Sequence, residues 1–113
     1  MKSEDLLKET LEKTGLPVRA YEYKGAKPEY IVYNEEDERG CAHRDDRPGG
    51  ISIWWQVHIF TPEQCDYREI KRQVRALLLD AGFGVGAVRT LYEKETETVH
   101  VVISCNIIED MED

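Results

Sequence analysis

The chain has 113 residues, 41% of them hydrophobic and 34% charged, and its 15 Lys+Arg against 23 Asp+Glu give a net charge of −8. This length holds one compact domain over 1–113, and with a mean hydropathy of −0.57 the composition is that of a soluble globular domain rather than a disordered or membrane-embedded chain. No stretch is long and apolar enough to span a bilayer, MKSEDLLKE lacks a signal-peptide core, and the acidic balance opposes nucleic acid and anionic membranes, so the expectation is a cytosolic protein without general nucleic-acid affinity.

Ser3 reads as the N-cap of a first helix from Glu4 to Thr14, ended by Gly15 and Pro17. Leu6, Leu7, Thr10, Leu11 and Thr14 share its docking face, and Glu4/Lys8 and Glu9/Lys13 sit at the supportive i,i+4 spacing. Val18 to Tyr23 is a weak strand candidate, and Glu29 to Asn34 (EYIVYN) a better one. Glu35 to Gly50 is crowded with charge, lacks large aliphatics and ends in Pro-Gly-Gly, which predicts a long solvated hairpin loop.

Ile51 to Phe60 alternates as a strand should, and Thr61-Pro62 ends it. A second helix is predicted from Asp66 to Ala81, with Tyr67, Ile70, Val74, Leu77, Leu78 and Ala81 as its buried stripe and Gly82 as its stop. Gly84 to Glu93 and Thr98 to Ile108 read as a closing hairpin around KETE. The predicted class is α+β: a two-layer sandwich of order αββαββ, with helices on one face of a four-stranded antiparallel or mixed sheet.

Candidate chemistry is sparse. Gly82, Gly84 and Gly86 follow a helix and lead into a strand, whereas a phosphate-binding loop needs strand, glycines, then helix. Cys41, His43, Asp45 and Asp46 carry zinc-compatible atoms but lack a second ligand cluster, so no metal or cofactor is assigned. Cys41, Cys65 and Cys105 form an odd set without CxxC spacing, as expected of reduced thiols, and Cys105 is in phase with the apolar face of the last strand. His58 and His100 lie on strand faces without a nucleophile motif, so no catalytic residues are assigned and the chain is read as a non-enzyme.

Two patterns point toward association. On the second helix Arg68, Lys71, Arg72 and Arg75 occupy one flank, while Asp66, Glu69 and Asp80 occupy the other. Opposite charge on two sides suits a head-to-tail interface, with Glu35, Glu36, Asp37 and Glu38 as a counterpart. Alternation also sends Trp55 toward the core and Trp54 to a face shared with Gln56, His58, His100, Ser104 and Asn106, a mixture that fits an interface anchor. Coverage of Trp54 by the chain's own long loop or N-terminal segment is the competing reading.

Three phrases, KPEYIVYNEEDE, SIWWQVHIFTPEQCDYREIKRQVRALLLDAGF and LYEKETETVHVVISCNI, together resemble the small tail-completion or tail-terminator proteins of long-tailed bacteriophages and prophages. The resemblance spans most of the chain from Gly15 onward. It implies a structural subunit that assembles as a hexameric ring on the head-proximal end of the tail tube, caps tube growth and meets the head connector proteins. It implies residence in the host cytoplasm during assembly and then in the virion tail, with DNA passing through the ring without sequence-specific contact. The last strand ends in Cys105-Asn106-Ile107-Ile108 where such proteins often carry an aromatic-rich phrase, so a head-completion or neck role stays open. A small α+β ligand-binding module is the alternative of another class.

Overall fold

The computed structural model describes residues 3–44 and 47–109, with side chains given for all of these except 41–49. Chain order is α1 (Ser3–Glu12), β1 (Val18–Ala20), β2 (Tyr30–Arg44), β3 (Arg47–Pro62), α2 (Tyr67–Asp80), β4 (Gly84–Glu93) and β5 (Thr98–Glu109). The strands form one mixed sheet in the order β1-β2-β3-β5-β4, with β1 parallel to β2 and the other neighbours antiparallel.

The α+β class holds, but the sheet has five strands rather than four and the order is αβββαββ. The extra strand is β1, three residues registered on Ile31, Val32 and Tyr33. A second correction concerns Glu35 to Gly50, predicted as loop. Strand β2 continues to Arg44 and β3 begins at Arg47, paired from Glu35↔Trp55 to Arg44↔Arg47 and interrupted by a register shift between Glu35 and Asp37. Its inner half is anchored by Ile51, Ile53 and Trp55 of β3, which belong to or pack on the core, and the backbone ladder continues from there to Arg44 and Arg47 without large apolar side chains on β2.

Both helices cover one face of the sheet. Leu7 and Leu11 of α1 and Val74 and Leu78 of α2 are fully buried with Ile31, Val57, Ile59, Val101 and Ile103 of the strands. Trp55 joins this core, edge-on to Tyr33 at 5.9 Å between ring centroids. Asp66 caps α2 by accepting from Glu69 N–H at 3.1 Å, and Gly82 follows the helix at φ +100°. Ser3 is a correction of detail: it lies in the first turn of α1, and its backbone N–H is held by Glu109 Oε2 at 2.8 Å. That contact ties the start of α1 to the end of β5.

Candidate functional site: an open sheet face between two charged sides

Among the described residues the opposite face of the sheet carries no helix, and strand alternation decides what it presents. Register aligns Tyr30 with Phe60 and Phe60 with His100, so these side chains stand in a row across β2, β3 and β5. Neighbouring strands are about 4.8 Å apart, close to aromatic stacking distance. Tyr30 and Phe60 stack at 4.9 Å and Phe60 and His100 at 4.2 Å. Tyr23, from the β1–β2 connection, extends the row by stacking on Tyr30 at 4.5 Å. Its hydroxyl accepts from Lys27 N–H at 3.0 Å and lies where a side chain at position 25 would stand, which requires Gly25.

His58 lies beside this ridge, between Val32 and Val102 in register. Asn34 Nδ2 donates to the Glu35 carbonyl at 3.3 Å and to Gln56 Oε1 at 3.4 Å, which turns Asn34 Oδ1 toward His58 Nε2 at 2.8 Å. The neutral ring therefore carries its hydrogen on Nε2 and accepts at Nδ1, where His100 Nε2 donates at 2.9 Å. Ring centroids 5.1 Å apart place the two imidazoles nearly head-on. That alignment suits a shared proton better than convergence on a metal. Burial holds both imidazoles below the usual histidine range; the His100 charge adds to this for His58, while for His100 Glu93 opposes it and Arg89 reinforces it. Tyr21, Glu22 and Tyr23 wall a cleft of about 400 Å³ over Val32, Asn34 and this pair.

Trp54 shares the open face, registered opposite Asn106 and half-buried. Its ring reaches the β4 side, with Cζ3 3.4 Å from where a Cβ at Gly86 would stand, beside Glu36, Asp37, Arg39 and Ser104. Glu36, the residue at the register shift, accepts from Ser104 Oγ at 3.3 Å, and Asp37 pairs with Arg39. The described residues place neither helix on Trp54; it rests on the sheet's own strands.

The charged groups divide between the two sides of the sheet. Lys71 Nζ donates to Thr90 Oγ1 at 3.0 Å, which sets the basic flank of α2 over the β4 edge. Arg68 lies over the Tyr67 ring at 4.8 Å, and Arg68, Arg72 and Arg75 are exposed. Glu35 and Glu38 belong to β2, on the other side of the strand order, and are registered opposite the core residues Trp55 and Ile53, hence on the helix-bearing face. The basic and acidic candidates therefore do not meet within one subunit. Ion pairs among the described residues, Lys24–Glu22 and Asp37–Arg39, involve none of the α2 bases.

Sequence parity places Trp54, His58 and His100 on one face, as predicted, but the Tyr23–Tyr30–Phe60 continuation and the role of Asn34 escaped it. The Cys41 to Asp46 candidate lies outside the described side chains. Among the described residues no three His, Cys, Asp or Glu side chains gather as metal ligands. Cys105 is fully buried, and burial pushes its thiol up to about 12, which keeps it protonated and inert. No helix is long and apolar enough to cross a membrane among the described residues. No family model matches the chain, and no curated protein matches it.

Proposed function

We propose that the chain is a non-enzymatic assembly subunit of the phage tail-terminator kind. Copies close head-to-tail into a ring, six-membered in the family it resembles, that caps the head-proximal end of a tail tube and joins it to the head connector. The observation that carries this reading is the separation of charge: the α2 bases sit over the β4 edge, while Glu35 to Glu38 sit across the sheet on β2. A heterologous contact needs two different, complementary patches on opposite sides of one subunit, and closure of that contact makes a ring. The tail-terminator assignment itself rests on the three sequence phrases.

In this reading the subunit works in the host cytoplasm during assembly and stays in the virion tail. Net charge of −8 favours passage of DNA without adhesion. The test is polymerisation of purified tail-tube subunits with and without the chain. Shorter tubes bearing added density at one end are expected; tubes of unchanged length with bare ends overturn the assignment.

The aromatic cleft over the His58–His100 pair favours a second reading, a small ligand-binding module, because its volume of about 400 Å³ lies within the range of ligand pockets. A small molecule that raises the melting temperature, by an increment that grows with the logarithm of its concentration, would support that reading.

A further inference from the structure

We infer that neighbouring subunits join by strand pairing, the β4 edge of one copy adding to the free β2 edge of the next, so that the assembly carries one continuous sheet. This rests on the head-to-tail reading above and names its contact. Strand β1 covers β2 only at Ile31, Val32 and Tyr33. At Tyr21 the chain makes a three-residue turn with φ 69°, Glu22 N–H donating to the Ala20 carbonyl at 2.8 Å, and it leaves the sheet for the open face. Such a turn is rare and strained for a residue other than glycine. Its effect is to leave the outer edge of β2 from Asn34 onward without a neighbouring strand among the described residues.

The other free edge is β4, ten residues long and bonded on its inner side to β5. Strand directions are compatible. With β2 taken as up, β3 runs down, β5 up and β4 down, so β4 meets the β2 of a copy in the same orientation as an antiparallel partner. Charge is compatible as well. The basic flank of α2 overhangs β4 on the helix-bearing face, and Glu35 and Glu38 project from β2 on that same face. At equal height Arg89 and Thr90 lie level with Val32 and Ile31, which β1 covers, so the copies are staggered along the strands, and that stagger brings Arg72 and Arg75 of one copy over Glu35 and Glu38 of the next. Exposed edges are commonly guarded by charge and by bulges against indiscriminate pairing. Here the acidic guard and the bulge at Glu36 reject most strands and accept an edge accompanied by bases.

The test uses the full chain and reads oligomer mass by light scattering at low salt, with circular dichroism to confirm folding. Arg72→Glu/Arg75→Glu and Glu35→Lys/Glu38→Lys should each raise the concentration needed for assembly by about tenfold or more, and the quadruple variant should recover it. Arg89→Pro and Thr90→Pro address the strand pairing. Adjacent residues of an edge strand turn their N–H groups to opposite sides, so one proline should disturb the β4–β5 ladder and the other should fold yet fail to assemble. A ring that forms normally in the folded proline variant, or in both double charge variants, overturns the edge pairing and leaves the ring reading standing. A wild-type chain that remains monomeric at every concentration overturns both.

Discussion

His58 and His100 face each other across β3 and β5 with 2.9 Å between Nδ1 and Nε2, and Asn34 fixes the far side of His58. The pair can take one proton and keep its hydrogen bond, since an imidazolium donates where the neutral ring accepted. A second proton leaves two donors facing each other and breaks the contact.

This arrangement gives stability a pH dependence of definite sign. Both imidazoles titrate below the ordinary histidine value, burial being the main cause. The unfolded chain takes up protons as pH falls through that value while the folded pair does not, so stability is full above it and is lost as pH falls toward the lowered folded values. Urea unfolding at pH 8 and pH 5.5 should show the decline, and His58→Gln/His100→Phe should make it shallower. An equal decline in that variant contradicts the assignment.

The adjacent tryptophans should fail differently. Trp55 is 5% exposed in the core, and Trp55→Ala should cost about 3–5 kcal/mol. Trp55 Nε1 is buried without a hydrogen-bond partner among the described residues, so Trp55→Phe removes an orphan donor along with some volume and should cost far less. Trp54→Ala should leave the monomer folded and weaken assembly. Denaturant melts paired with mass measurements check all three, and a Trp54→Ala monomer as unstable as Trp55→Ala would place Trp54 in the subunit's own stability core.

Gly86 sets how Trp54 lies. A methyl there meets Cζ3 at 3.4 Å, an ordinary contact, so Gly86→Ala should be nearly neutral, whereas Gly86→Ile should lift the indole into solvent. In a Trp55→Phe background, the emission of Trp54 should shift to the red in Gly86→Ile and stay put in Gly86→Ala.

Much of the fold was legible because its signals are local. The α2 stripe and the Ile51–Phe60 alternation follow from spacing alone; the structure keeps the alternation, and of the stripe it buries Val74 and Leu78 fully and packs Tyr67, Ile70 and Ala81 half-buried on the core, with Leu77 half-buried outside that cluster. Strand β1 is too short for periodicity, and its parallel pairing leaves no hairpin signature. The β2–β3 ribbon is not legible because EEDERGCAHR has loop chemistry, while pairing with β3 makes it a strand. The open face was half legible: parity groups His58 with His100, but only register sets their separation, and nothing in the sequence announces that Tyr23 folds back onto Tyr30.

Closed head-to-tail association is tested most directly by sedimentation across a wide concentration range. A closed ring gives a transition from the 13.1 kDa chain to one species of fixed multiple mass, with no larger species appearing as concentration rises further. A monomer at all concentrations, or growth into ever larger polymers without a preferred size, would contradict it.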